Sequence, residues 1–518
     1  MLEASPFLEI IESIYPRILS QIDRDLDSPT CGSCDRNYWL YKLRDFNSGT
    51  FQQTSLFTAS TAKLFSSKSD ELSELTKKIN AYTLKSLTKN LTLDEYYPNE
   101  RSYITTNFVL YSLVKSAHMV GDQLTLESEV LRNCFLKICK NQEATPAANQ
   151  DSAKLAFICF YTQLFPELRL LAESTIQAIL LRKESQSYFS EYGGTDLGYL
   201  SVTLNNLAYI DADGSYPVEK YLKRVFHQFI NFIPRNGQVG GEFGSRCTSY
   251  YLPYGLIYCS QKYNVKLDTL DFKQNLEKID DRYLMHYFSP SYAQTALFLK
   301  EHSCETSHTE TPKSYSQIQQ REGMSEDSSL YFYNSDDVNL YIGLNKGGSF
   351  SFYKGDESHL DNGYRLRTKG HVFATHNITS KAKVTEVEIG DEITKVTIEN
   401  SLSRYSKMSP TPFKTIILRV IMFLGPLLNA LFKKILIKDA IPLEGALFKR
   451  SFIFNKLSKG LTISDQFTGL SDEGALITLS PPSSFRLVPS AKFFIDQEER
   501  FYTSEYKQLT QRDFLYEL

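Results

Sequence analysis

The sequence predicts a two-part chain of α and β class: a helical α/α array over residues 1–305, a connection over 306–327, and an antiparallel β-sandwich over 328–518 with an apolar insertion at 415–437. Three observations predict it. Up to about residue 305 the apolar residues recur at three- and four-residue spacing. Between Glu301 and Ser329 the run EHSCETSHTETPKSYSQIQQREGMSEDSS is polar, as an exposed connection should be. Beyond it the apolar period falls to two.

The clearest helical stripe is Val218, Tyr221/Leu222, Val225/Phe226, Phe229 and Phe232/Ile233. Comparable segments fall near 71–90, 102–119, 124–140, 149–165, 167–182, 195–210 and 247–262, divided by short polar or Gly/Pro breaks. No strict repeat accompanies them, which excludes a consensus solenoid. In the second part, Val338, Leu340 and Ile342 alternate with polar or small residues, Lys346-Gly347-Gly348 supplies a turn, and Ser349-Phe350-Ser351-Phe352 alternates again. That is a hairpin pattern. Val387 and Ile389 lead through Gly390-Asp391 to Ile393, Val396 and Ile398 in the same way, and β-like runs recur near 451–467 and 474–495. The insertion TIILRVIMFLGPLLNALFKKILI is long enough for a membrane span. Arg419, the Gly425-Pro426 break and Lys433-Lys434 favour instead a strand followed by an amphipathic helix, lying on the sheet, on another subunit or on a membrane surface.

Bulk composition narrows the function classes. With 42% hydrophobic and 23% charged residues the chain is a core-former rather than a disordered one. A formal charge of −3 offers no broad cationic field for a phosphate backbone, so nucleic acid is not an expected partner. The opening MLEASPFLEIIESIYPRILSQIDRD carries Glu3, Glu9 and Glu12 and no basic, unbroken apolar leader, so the expected location is cytoplasmic, with peripheral contact at an inner membrane kept as an alternative. Eight cysteines are too few for a disulfide scaffold; Cys134, Cys139, Cys159 and Cys259 sit in apolar helical contexts. Cys31-Gly-Ser-Cys34 has no second pair to complete a zinc site and reads as a turn with two thiols.

Three stretches, in this helical-then-β order, resemble the heparinase II/III-like polysaccharide lyases: Ala148-Asn149-Gln150-Asp151 opening a helix, YFSEYGGTDLGYLSVTLNNL at 188–207, and Ser358-His359-Leu360-Asp361-Asn362-Gly363 in the early strands. The run Gly241-Glu242-Phe243-Gly244-Ser245-Arg246 before an aromatic-rich helix is similar to lyase-like proteins encoded among bacterial capsule, exopolysaccharide and O-antigen functions. The resemblance implies an incomplete (α/α) toroid followed by the β-sandwich, an acidic polysaccharide as partner, β-elimination from a uronate, and no metal or other cofactor.

On that reading Asn149 neutralises the substrate carboxylate, Tyr199 is the base that also returns the proton, and His359 reaches from the β part into the cleft as partner base. Tyr192 and Asp196 line the loop after which Tyr199 follows, Arg246 binds the acidic group with Glu242 holding it, and Tyr250 and Tyr251 add aromatic contacts. The alternatives at these positions are an N-cap for Asn149, a core ring for Tyr199 among 33 tyrosines, a loop histidine for His359 and a structural pair for Glu242–Arg246. The pattern also departs from the family's: Gln150 and Leu200 stand where it carries histidines, and Glu357 replaces the first histidine of its β motif. A non-catalytic glycan-binding or assembly protein, and a hydrolase using Glu191 and Asp196, therefore remain as alternatives. His359, Asp361, His371 and His376 are too scattered to predict a metal.

Overall fold

The computed structural model describes residues 4–35, 46–87, 90–140, 147–184, 188–273, 276, 279–302, 311–325, 329–368, 370–376, 383–405, 411–423, 442–470, 476–480 and 513–517. Helices dominate the chain to Glu301; beyond it, apart from a short parallel pairing of Lys313–Ser314 with Val265–Lys266 and one later helix, the described residues form mainly antiparallel strands, with sheet curled into a half-barrel. The change of period in the sequence thus corresponds to a change of secondary structure.

The helices are α1 (Ser5–Leu19), α2 (Thr54–Leu64), α3 (Ser69–Leu87), α4 (Tyr103–Met119), α5 (Glu129–Lys140), α6 (Ala148–Leu164), α7 (Arg169–Glu184), α8 (Leu197–Ala212), α9 (Glu219–Ile230), α10 (Pro253–Lys262) and α11 (Ser289–Glu301). They are of two kinds. Helix α9 buries one stripe, Leu222, Val225, Phe226 and Phe229, whereas α6 is buried from Ala148 to Thr162 and α8 from Leu197 to Ile210. A helix buried all round must satisfy its polar residues internally. Asn205 does so by donating to Ser291 Oγ and accepting from Gly255 N, and Asn206 donates to Ser152 Oγ.

These enclosed helices neighbour one another in the order α2, α4, α6, α8, α10, α11, and α11 returns to α2; α3, α7, α9 and α1 lie against them from outside. Where α10 meets α8, a Cβ on Gly255 would stand 2.7 Å from the Asn205 backbone nitrogen, so only glycine admits this approach. The six share a direction. Their N-terminal ends meet through Thr50···Thr105, Leu252 N→Ser201 Oγ and Tyr254 N→Ser291 Oγ. Their C-terminal ends meet through Lys115–Asp213, Gln294→Ser60 and Lys300→Leu64 O.

A five-stranded sheet runs in chain order: β1 (Glu322–Ser325), β2 (Leu330–Asn334), β3 (Val338–Gly343), β4 (Ser349–Lys354) and β5 (Glu357–Asp361). An eight-stranded sheet has β6 (Tyr364–Thr368), β7 (His371–Ala374), β8 (Lys383–Ile389), β9 (Ile393–Tyr405), β10 (Pro442–Asn455), β11 (Gly460–Thr468), β12 (Leu476–Leu479) and β13 (Asp513–Glu517) in the order β12-β6-β7-β9-β10-β11-β13, with β8 also on β9. The central strands of the five-stranded sheet, β2, β3 and β4, are buried on both faces. Phe332, Tyr341 and Tyr353 join the helical core, while Tyr331, Leu340, Phe350 and Phe352 cluster with Ile398, Phe452 and Phe454 of the larger sheet. Polar residues on the helical face are paired, as Asn334 Nδ2 is to Asn231 O and Asn339 to Asn334.

Two expectations change. The insertion begins as a helix, α12 (Pro412–Phe423), not as a strand, because its apolar residues follow a helical spacing; residues 424–437, with Gly425, Pro426, Lys433 and Lys434, lie outside the described residues. Within the stretch read as a connection, residues 322–325 form β1 and Gln319 donates to the carbonyls of Ile230 and Ile233, so its described polar residues serve as caps rather than as a bare linker. The run at 474–495 is described only as β12 and one following residue. Cys31 and Cys34 are free thiols around a turn at Gly32, whose φ is 90°. Among the described residues no helix is long and apolar enough to cross a membrane.

Arg450 on β10, fully buried, ties the sheets together. It forms a two-pronged pair with Asp465 at 2.7 and 2.6 Å and reaches Asp361 Oδ1 at 2.8 Å and Gly348 O at 3.1 Å in the five-stranded layer. Breaking such a pair leaves carboxylates uncompensated in the interior. Arg450→Met is expected to lower the free energy of unfolding by about 3–5 kcal/mol in urea titration; a loss below about 1 kcal/mol would place the coupling of the sheets elsewhere.

Candidate functional site

The N-terminal ends of α6 and α8 stand side by side, bridged by Ala147 and Glu191 and by Ala148 N→Ser190 O. Asn149 lies in the first turn of α6, not at its N-cap, which is Ala147. Its side chain therefore does not cap the helix: Asn149 Nδ2 donates to Glu191 Oε2 at 2.6 Å, while its backbone N–H donates to Glu191 Oε1 at 3.0 Å. Thr203 on α8 supplies a third donor to Glu191 at 2.7 Å. Burial raises the Glu191 carboxyl to about 8, against the downward pull of Thr203, Asn149 and Lys183.

Next to this pair the chain bends sharply. Tyr192 has φ 59° and Gly193 φ 84°, a bend closed by Glu191 N→Gly194 O at 2.7 Å. A non-glycine residue held left-handed is a strained position. The bend aims the half-buried Tyr192 at Gln150, whose Nε2 donates to the Tyr192 hydroxyl at 3.2 Å. The Arg246 guanidinium sits 4.2 Å from the centre of the Tyr192 ring, and Tyr199 meets that ring edge-on at 5.2 Å. Tyr250 follows at 6.4 Å from Tyr199. Asn149, Tyr192, Tyr199, Arg246 and Tyr250 thus gather in one place.

Their environments differ. Tyr199 is buried among Tyr250, Tyr283, Tyr287 and Tyr192; burial first, then these rings, raises its phenol well above the ordinary value. Tyr192 is raised by burial too, and by the Glu191 charge, while Gln150, Arg246 and Asn149 pull it downward without cancelling the rise. Tyr192 is thus the half-buried phenol of the group and Tyr199 the enclosed one.

The remaining expected site residues lie as follows. Asp196 is the N-cap of α8, 1% exposed, and accepts from Tyr199 N, Arg246 N, Thr248 N and the Thr248 hydroxyl. Glu191 is equally enclosed, so both carboxylates are taken up by donors of the protein itself. Glu242 is buried, and its carbonyl receives Lys346. Tyr251 turns into the core, donating to Asp271 O and lying edge-on to Phe272.

His359 lies on the other face of its sheet. It pairs directly across from Phe352, and opposite residues share a sheet face. Phe352 faces the eight-stranded sheet, so His359 does too, with its ring 6.3 Å from Phe352 and Nε2 3.8 Å from Glu357; Leu360, one residue on, takes the helical face. Alternation thus turns His359 away from the cluster. Asp361 is bonded to Arg450 and His371 to Arg404, and among the described residues no group of His, Cys, Asp and Glu is set to hold a metal ion.

The β part enters the site through the β3–β4 turn instead. Buried Lys346 donates to Glu242 O, Gly244 O and Cys247 Sγ, each at 2.7 Å, and Asn345 bonds the Gly193 carbonyl. The sequence marks this turn by Gly347-Gly348 but gives no sign that its lysine is buried. The segment Arg282-Tyr283 and the π-helical Leu284–Phe288 were likewise not singled out; they bring Tyr283 and Tyr287 beside Tyr250 and Tyr199. The Arg-Tyr-x-x-His-Tyr spacing at 282–287 is the signal that was available. Buried His286 adjoins Gln53 and lines a cavity of about 30 Å³, room for a water, between the helices. A wider depression of about 490 Å³ opens at the C-terminal ends, but its Lys115 and Asp213 pair with each other.

Against known proteins, the chain matches no family model and no curated sequence.

Glu191 yields a pH prediction. Its folded-state affinity for the proton exceeds that of the unfolded chain, so its contribution is complete below the ordinary carboxylate range and is lost as pH climbs through about 8. Unfolding free energy is expected to fall between about pH 5 and 8, and Glu191→Gln to flatten that fall by on the order of 1–4 kcal/mol. Parallel wild-type and variant profiles in urea would refute the assignment.

Proposed function

We propose that the protein is polysaccharide lyase-like, built as an incomplete (α/α) toroid carrying a β-sandwich, and that it acts on an acidic, uronate-containing bacterial glycan by β-elimination. The observation that carries this reading is the Tyr192–Arg246 pair, set at the N-terminal ends of the enclosed helices. Those ends carry partial positive charge and favour an anionic ligand. Arg246, half-buried over the ring, neutralises the substrate carboxylate and acidifies the proton on the carbon beside it. Tyr192, as phenolate, takes that proton; the C–H electrons become the new double bond, and the bond to the glycosidic oxygen on the next carbon breaks. The phenol then returns its proton to the departing oxygen. Asn149 and Gln150 orient Tyr192, and Tyr199 and Tyr250 back it. This moves the base from Tyr199 to Tyr192, and the neutraliser from Asn149 to Arg246.

A second reading, glycan binding without catalysis in surface-polysaccharide assembly, is favoured by one observation. Gln150, which cannot titrate, occupies the Tyr192 hydroxyl where the resembled family places a histidine. A panel of uronate-containing glycans, followed by the near-ultraviolet absorbance of an unsaturated uronide, separates the two. Tyr192→Phe is expected to lose about 100-fold or more of the rate and Tyr199→Phe less than about tenfold. Full activity in Tyr192→Phe sinks the proposed mechanism; binding that Arg246→Ala abolishes, with no new absorbance on any glycan, establishes the second reading.

A further inference from the structure

Between β9 and β10, helix α12 presents Phe413, Ile416, Ile417 and Val420 with exposures of 72%, 63%, 41% and 57%. At about 100° per residue these four fall within one arc of about 100°, and Lys414, exposed, and Arg419, half-buried, lie about 60° beyond its two margins. Every residue from Thr411 to Ile417 is exposed, so the protein's own core does not cover this face. An apolar stripe edged by cations on both sides is the arrangement of an interfacial helix, whose long basic side chains reach up to headgroups while the stripe sinks below them.

The charge around it is as one-sided. From Arg404 to Lys438 the sequence holds Arg404, Lys407, Lys414, Arg419, Lys433, Lys434 and Lys438, and no aspartate or glutamate, within a chain of formal charge −3. We propose that α12 docks this protein on an anionic lipid surface, with Phe413, Ile416, Ile417 and Val420 in the acyl boundary and the flanking cations on lipid phosphates. A second copy of the chain is the poorer occupant, since a two-fold contact would set this cationic segment against itself. A span is poorer as well, because Arg419, the Gly425-Pro426 break and Lys433-Lys434 interrupt the apolar run. The inference does not depend on the glycan reading, and its test uses no glycan.

The full chain is sedimented with phosphatidylcholine vesicles, with and without about one-third phosphatidylglycerol. Binding is expected only with the anionic lipid and to weaken when NaCl is raised from about 0.1 M to about 0.5 M. Phe413→Asp/Ile417→Asp and Lys414→Glu/Arg419→Glu are each expected to weaken it by tenfold or more, with the thermal unfolding of the first pair, exposed at both positions, unchanged. No binding to anionic vesicles, or binding that both double variants retain, overturns the proposal. So does a concentration-dependent dimer that Phe413→Asp/Ile417→Asp dissolves while vesicle binding is absent, which would assign the stripe to a second copy.

Discussion

The site depends on one buried ammonium. Lys346 is 4% exposed and bonds two carbonyls and a sulfur of the 242–247 loop. A desolvated charge costs several kcal/mol unless its acceptors are in place, so turn and loop must be correct together or not at all. The turn is fixed from its other side: a Cβ on Gly347 would stand 2.1 Å from Thr375 O, and Gly348 O accepts from Arg450. The loop passes the constraint on, since Arg246 and Thr248 donate to Asp196, which caps the helix carrying Tyr199. A continuous polar path therefore runs from the pair joining the two sheets to the phenols between the helix ends.

The enclosed helices explain why that path ends where it does. Helices of one direction, placed side by side, bring their unpaired N–H groups to one end and their carbonyls to the other. At the first end the donors are met by Glu191 and Asp196; at the second, Lys115, Lys262 and Lys300 sit among the carbonyls and carboxylates. The cations at the second end match the sign of the helix dipole there. The shared direction also explains the carboxylates that composition alone suggests as catalytic: they satisfy backbone donors, and Tyr192 and Arg246 are left nearer the surface.

Much of the helical part was legible because its spacing is local. The stripe at 218–233 follows from a repeat visible within a dozen residues, and α4, α6 and α8 from apolar stretches set between polar or Gly/Pro breaks. The hairpins around Gly347-Gly348 and Gly390-Asp391 were legible for the same reason. What was hidden depends on distant partners. His359 reads as a site candidate until its pairing with Phe352 assigns it a face. Asn149 reads as a cap or a catalyst because Glu191, 42 residues away, is invisible as its acceptor. Lys346 reads as a turn lysine because the carbonyls that bury it lie about 100 positions earlier. The first turns of α12 were misread because apolar density without strict alternation suits either period.

Strain supplies the last step. Tyr192 and Cys247 are both left-handed, at φ 59° and 54°, and they flank the contact between Tyr192 and Arg246 from its two loops. Each such residue costs roughly 1–3 kcal/mol and persists only where its surroundings over-determine it. Here they do: Glu191 N→Gly194 O closes the first bend, while Cys247 N→Gly244 O and Lys346 on Cys247 Sγ close the second. A relaxed Tyr192 would swing its hydroxyl off Gln150, and a relaxed Cys247 would carry Arg246 off the ring. The buried lysine, the glycine turn and the carboxylate caps thus share one consequence, a phenol and a guanidinium held face to ring at the helix N-termini before any ligand arrives.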